Sequence, residues 1–342
     1  ALPLPRALTE EDEAALTDLW RRGTPANTLR AWEGDLLYVA AWKRARLDAP
    51  LAWPEAPRVA LRFVLDHGAD LSAATGPARA AAEVLIAAGR RRSLACPAPA
   101  TLDRRIASWR AFHRMRDLPD PFAATLVAEA RRRARRAAAR PHAPKSPRPI
   151  TREVLETLLA SCDGDMRGRR DRAMLALGFA SGGRRRSELA ALTRADIATG
   201  AFAESGVVWL RLRETKTTGP AEAPRLPVRG RAARAVIGWI ETAGIADGPL
   251  LRPVSAAGRV LGRGLSADGI RVILRRRLEA AGLPPDYASA HGLRAGFLTQ
   301  AALDGVPLPA AMALSLHRSP AQAQRYYADV EIEANPATGL LE

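Results

Sequence analysis

Three short runs in the second half of this 342-residue chain gather side chains that handle anions and protons. Residues 182–189 read GGRRRSEL, residues 291–294 read HGLR, and residues 317–326 read HRSPAQAQRY. Arginine forks suit a centre that develops negative charge, because they stay protonated and bind two oxygens at once. A phenol with a pKa of about 10 is a nucleophile only when a neighbour takes its proton. Histidine is the usual acceptor, and lysine is a common donor to a leaving group. Arg184, Arg185, Arg186, Arg294, His291, His317 and Tyr326 supply these types, and Lys216 lies between the runs. Together they fit group transfer at a phosphate. Tyr327 follows Tyr326 directly, and adjacent helical residues point about 100° apart, so only one of the two can face such a centre.

Charge points to the same class of partner. The net charge is +16, with 26 basic and 16 acidic residues up to residue 150 and 26 and 20 beyond it. Lys43, Lys145 and Lys216 are the only lysines. A compositional bias accounts for arginine over lysine, but not for basic over acidic, and an excess in both halves fits a long polyanion touching both. No run of eighteen apolar residues exists, so no membrane span is expected. The N-terminus lacks the basic start and apolar middle of a signal peptide, which makes a cytoplasmic location the expectation. Cys96 and Cys162 form neither a disulfide framework nor a zinc pattern and are expected to be small buried residues.

The three runs resemble the boxes of the tyrosine site-specific recombinases of the phage-integrase family. Gly183, Arg185, Ser187, Glu188 and Leu189 match the first box, Lys216 the hairpin lysine, and His291 and Arg294 the second box. His317 and Tyr326 match the last pair, nine residues apart, and that spacing selects Tyr326 over Tyr327. Leu316 stands where members often carry glycine.

The resemblance implies that Arg185 and Arg294 clamp a scissile DNA phosphate while His317 adds a hydrogen bond. Tyr326 attacks to form a 3′-phosphotyrosine link, His291 accepts its proton, and Lys216 protonates the 5′-oxygen. Glu188 orients a neighbouring side chain. The covalent link conserves the bond energy, so no cofactor, ATP or metal is expected. The implied partner is double-stranded DNA with paired recognition half-sites, bound by a homotetramer that exchanges strands through a Holliday junction. A topoisomerase-like enzyme or hairpin-telomere resolvase would share this chemistry. A DNA-binding protein with vestigial boxes would share only the binding.

The length predicts two domains. Helical spacing covers about 9–22, 25–47, 56–67, 77–90, 100–116 and 121–139. Residues 1–140 therefore read as a helical bundle, which the resemblance makes a SAM-like core-DNA-binding domain of the Cre-like members, with no arm-binding domain ahead of it. Candidates for DNA contact there are Arg30, Lys43, Arg90, Arg91 and Arg92. Four prolines in residues 141–150 predict a stiff extended linker. Residues 151–342 form the expected catalytic domain. Its helices are predicted at 151–162, 169–180, from near Ser187, and at 230–243, 266–282, 291–304, 308–316 and 319–327. Residues 206–213 alternate like a strand, 223–229 could pair with them, and Lys216 sits in the loop between. The fold class is mainly α with a small antiparallel sheet in the second domain. Leu340 and Leu341 are apolar residues that could dock a C-terminal tail on a neighbouring protomer.

Overall fold

A computed structural model describes residues 9–139, 146–213 and 223–333. The chain divides into two compact units, residues 1–142 and 143–342. In the first, the described residues form α1 (Glu10–Gly23), α2 (Ala26–Leu47), α3 (Pro57–Gly68), α4 (Pro77–Ala87), α5 (Pro99–Met115) and α6 (Thr125–Ala137). Thr9 and Asp12 close a reciprocal capping box at the start of α1, which offsets orphan amides of the first turn. Proline opens α3, α4 and α5, where its fixed φ costs nothing and its missing N–H is not needed. Trp42, Phe63, Ile106, Trp109 and Phe122 form the buried centre. The Trp42 and Phe63 rings meet edge-on at 4.9 Å, the geometry that aromatic quadrupoles favour.

The second unit contains α7 (Arg152–Ala160), α8 (Met166–Ala180), α9 (Arg186–Ala191), β1 (Ile197–Ala198), α10 (Phe202–Ser205), β2 (Val207–Arg211) and β3 (Arg225–Arg229). It continues with α11 (Gly230–Thr242), α12 (Ala267–Ala280), α13 (Gly292–Leu303), α14 (Leu308–Ser315) and α15 (Pro320–Glu333). The sheet runs β1-β2-β3, antiparallel throughout. Val208 pairs with Val228 and Leu210 with Leu226, and all four side chains are buried. The period-2 alternation thus sets the register. Pro227 is tolerated because β3 is an edge strand. The first half of helix α8 is rich in charge, but its second half is apolar and buried from Ala173 to Gly178, so that half runs through this unit's core.

Two expectations change here. The predicted linker ends earlier than residue 150: Ser146 and Ile150 are buried in the second unit. The Ile150 amide donates to Gly292 O at 2.9 Å, and Ser146 Oγ accepts from the Ser289 amide at 2.9 Å. Prolines prevent a helix in this stretch but do not prevent packing. Residues 140–145 lie outside the described residues, as do Lys216, Leu340 and Leu341. Cys162 is buried as expected, whereas Cys96 is half-buried. None of the described helices is long and apolar enough to cross a membrane.

Candidate active site

The first box sits on a turn that only glycine can make. After α8 the chain passes through Gly182 at φ +95° and Gly183 at φ +71°, a region that L side chains resist. Space is equally restrictive: a Cβ on Gly182 would lie 2.2 Å from Leu314 O, and one on Gly183 would lie 2.3 Å from Arg294 Cα. The turn therefore brings the α8–α9 connection against both α13 and the end of α14.

The three consecutive arginines then diverge. Arg184 is 1% exposed. Its Nη2 donates to Leu314 O at 2.7 Å, and its Nη1 lies 3.6 Å from Glu188 Oε2. Burial pushes it down to about 10, against the opposing pull of Glu188. Arg185 keeps 28% of its side chain exposed. Its amide donates to Glu188 Oε2 at 3.1 Å and its Nη1 donates to Glu188 Oε1. Glu188, itself buried, thus fixes Arg185 from two directions at the start of α9. Arg186 is exposed.

Helix α13 presents His291 at its N-cap position and Arg294 in its first turn. Its approach to residues 146–150 depends on two further glycines: a Cβ on Gly296 would lie 1.8 Å from Ile150 O, and one on Gly292 would lie 2.9 Å from Ser146 Oγ. Arg294 is buried, and its Nη1 donates to Gly183 O at 3.3 Å. Its Nε and Nη2 lie 3.2 and 3.1 Å from the two ring nitrogens of His317. A neutral ring has only one acceptor nitrogen, so one of these contacts is a hydrogen bond at a time. Ser315 Oγ, fully buried, lies 2.8 Å from His317 Nδ1. Burial, then the like charges of Arg185 and Arg184, pushes Arg294 down to about 9. Arg185 and Arg184 press like charge on Arg294, and among the described residues Glu188 is the carboxylate that opposes them, which leaves a net positive pocket suited to a bound phosphate.

Leu316 links α14 to this site in a left-handed conformation, φ 56° and ψ 43°, its amide donating to Met312 O at 2.8 Å. That conformation costs an L residue roughly 1–2 kcal/mol. The Leu316 side chain packs on the core of the unit, which offsets part of the strain and lets leucine serve where glycine is common.

The two tyrosines of α15 face different surroundings. Tyr326 is half-buried and its hydroxyl lies 2.9 Å from His291 Nε2. In the tautomer that carries its proton on Nδ1, His291 accepts from the phenol. Burial raises the Tyr326 pKa, while Arg294 and Arg325 oppose the rise. Tyr327 is 4% exposed, packs with Leu298, Ala301 and Ala311, and donates to Val306 O at 3.0 Å. Its hydroxyl is thus committed to the fold.

His317, His291, Arg294, Arg185, Glu188 and Tyr326 are therefore brought together, and Lys216 lies outside the described residues. Two contributors were not anticipated from sequence: Arg184, hidden in a run of three arginines, and Ser315, a serine two residues before His317. The run alone carries no sign of which arginine turns inward. Among the DNA-contact candidates, Lys43 must be withdrawn: its side chain is 6% exposed and paired with buried Glu55, because α2 turns that position into the core. Arg91 spends its guanidinium on the carbonyls of Ser93, Leu94 and Ala95. Arg30, Arg90 and Arg92 are exposed.

Burial also sets an acid limit on stability. Burial above all drives both His67 and His317 down to about 3, reinforced at His317 by Arg294, Arg185 and His291. Unfolded histidines take up protons below about 6.5. Between about pH 6.5 and 3 the unfolded chain therefore holds more protons, so stability falls as pH is lowered through that window. His67 alone is expected to contribute a loss on the order of a few kcal/mol. Melting temperature should fall from pH 7 to pH 4, and the fall should be shallower in His67→Gln. An equal fall in that variant would place the acid sensitivity elsewhere.

The phage integrase family matches residues 148–332, just over half of the chain. The chain belongs to that family, the tyrosine recombinases. The integrase/recombinase xerD homolog of Selenomonas ruminantium is 31% identical over 184 residues, covering 52% of this chain and 53% of the relative. Tyrosine recombinase XerD of Xanthomonas campestris pv. campestris is 31% identical over 198 residues, covering 54% and 57%. The chain spans about half the length of the curated relatives it matches. Among solved structures, the Tn1549 transposon integrase in complex with transposon right end DNA superposes with a TM-score of 0.57 at 16% identity, covering 94% of this chain and 98% of that one. XerH recombinase bound to difH substrate gives 0.54 at 16% identity, covering 97% and 85%. At such identities the likeness is one of fold.

Proposed function

We propose that the chain is a site-specific DNA recombinase that cleaves and rejoins duplex DNA through a 3′-phosphotyrosine intermediate. The observation that carries this reading is the 2.9 Å contact between the Tyr326 hydroxyl and His291 Nε2, on the same unit as the paired arginines. As the Tyr326 oxygen bonds to phosphorus, its proton passes to His291 and the bond from phosphorus to the 5′-oxygen breaks. Arg185 and Arg294 hold the non-bridging oxygens. His317 Nε2 accepts from Arg294 Nε here; once a bound phosphate takes that N–H, neutral His317, with Nδ1 accepting from Ser315, offers Nε2–H to the same group. Lys216 donates the proton that the departing 5′-oxygen needs. Rejoining reverses these steps with a 5′-hydroxyl from another strand. Glu188 and Arg184 act by positioning Arg185 and the α14 carbonyls. We assign the protein to paired half-sites in a tetrameric, Holliday-junction pathway in the cytoplasm at the nucleoid, and we assign it no cofactor.

The test is a nicked suicide duplex carrying the site recovered by sequencing DNA trapped on the protein. A covalent protein–DNA adduct that survives denaturant is the expected result. Binding without adduct would favour a DNA-binding protein with vestigial boxes. Lys216→Ala is expected to slow adduct formation on the order of 10²–10⁴-fold, and replacing the 5′-bridging oxygen with sulfur should restore most of the rate. A thiolate leaves without a proton, so failure of the sulfur substrate to rescue would remove Lys216 as the acid.

A further inference from the structure

The first unit holds an arginine-walled cleft that none of the chemistry above uses. It has a volume of about 300 Å³ and is bordered by α2, the turn after α4, and α5. Arg30, Arg90, Arg104 and Arg105 line it, with Asp35 and Tyr38. Asp35 is the one carboxylate among the described lining residues, and it is already engaged. Its Oδ2 accepts from Arg104 Nη1 at 2.7 Å and from Ser108 Oγ at 2.8 Å. Arg105 is stacked 3.3 Å from the centroid of the Tyr38 ring, with 13% of its side chain exposed. Its Nε is buried, stands 4.0 Å from Asp35 Oδ1, and has no hydrogen-bond partner among the described residues. A buried guanidinium N–H left unmatched is costly, and four cations around one occupied carboxylate repel one another. Both costs are relieved by one anion with several acceptor oxygens. Gly34 and Gly89 keep the lining open: a Cβ on either would meet nothing within 4 Å.

We propose that this cleft holds one backbone phosphate of duplex DNA, with Arg105 and Arg90 as its principal donors. The proposal rests on the reading that the chain binds duplex DNA. It adds a fixed anchoring point on the first unit, one that carries no sequence information because phosphate is common to every nucleotide. Removing one phosphate contact lowers the slope of log affinity against log salt by about 0.9.

The experiment uses the full chain as Tyr326→Phe, titrated by fluorescence anisotropy with random-sequence duplex pools, one GC-rich and one AT-rich, over a range of salt. Arg90→Gln is the exposed variant. Gly34→Glu is the second, because it sets a carboxylate into the open cleft without a core clash and replaces a helical glycine, which should raise the melting temperature. Each is expected to lower the slope by about 0.9 and to weaken both pools equally, and the double variant should lose no more than either alone. An unchanged slope, or a loss confined to one pool, would overturn the proposal. A third arm adds inorganic tripolyphosphate. If it raises the melting temperature of the parent but not of the variants while the DNA slopes stay equal, the cleft serves free polyphosphate and the proposal also falls. Adduct formation by the protein with Tyr326 intact is read separately, so a failure of the recombinase reading leaves this result interpretable.

Discussion

Tyr326→Phe is expected to lower covalent adduct formation on the order of 10⁴-fold or more, the scale seen when a nucleophile is removed, while duplex affinity stays within about twofold, since one neutral hydroxyl adds little to binding dominated by phosphate contacts. Tyr327→Phe is expected to keep the adduct and to cost about 1 kcal/mol of stability. The two residues are neighbours, so any general disturbance of α15 would affect both variants alike. What separates them is the partner of each hydroxyl. The Tyr326 oxygen lies beside His291, which can take its proton. The Tyr327 hydroxyl is bonded to Val306 O inside a small apolar cluster. Denaturing gels of the nicked-duplex reaction and thermal melts together decide the matter. Adduct from Tyr326→Phe and none from Tyr327→Phe would reverse the assignment.

Gly183→Ala should remove both activity and a large part of the stability. The residue combines a positive φ of 71° with a Cβ position 2.3 Å from Arg294 Cα. The neighbour is backbone, so no rotamer change relieves the clash. Either α13 moves away from the turn or the turn opens, and in both cases Arg294 loses its contact with Gly183 O. A cost of about 3 kcal/mol or more is expected, at the upper end for single substitutions, with adduct formation reduced at least about 100-fold because sub-ångström placement governs such chemistry. Gly206→Ala is the control. It has a similar φ of 65° but open space around it, and should cost only about 1–2 kcal/mol. Equal behaviour of the two variants in melts and adduct assays would show that φ alone, not the approach of α13, makes Gly183 necessary.

The sequence was most legible where a period or a spacing had physical meaning. Thr9 before an acidic turn marked the start of α1, and alternation in 206–213 marked β2. Strand β1 was missed because two residues are too few to display a period. The distance from His317 to Tyr326 selected one of two adjacent tyrosines, and the hydroxyl partners of the pair differ in the same sense. Spacing could not tell what the third dimension does with a run of like residues. Arg184, Arg185 and Arg186 are alike in sequence, yet one is sealed behind Glu188, one is held at the rim by it, and one is in solvent. Lys43 shows the same limit from the other side. A lysine in a basic chain reads as a surface contact until a buried glutamate is found beside it. Lys216 lies outside the described residues, and its role stands on its place in the sequence motif.

The stretch from Ser146 to Ile150 has a practical bearing on how this protein can be divided. Its prolines invite a cut at residue 151, as though everything before were tether. Such a cut would discard the amide that Gly292 O accepts and the backbone into which Gly296 is fitted. The helix that carries His291 and Arg294 would then have a bare, glycine-lined groove where it had a packed strand of chain. A C-terminal fragment meant to keep its catalytic geometry must therefore begin before Ser146, and a protease that nicks within 146–150 should silence the site without touching any of its reactive residues.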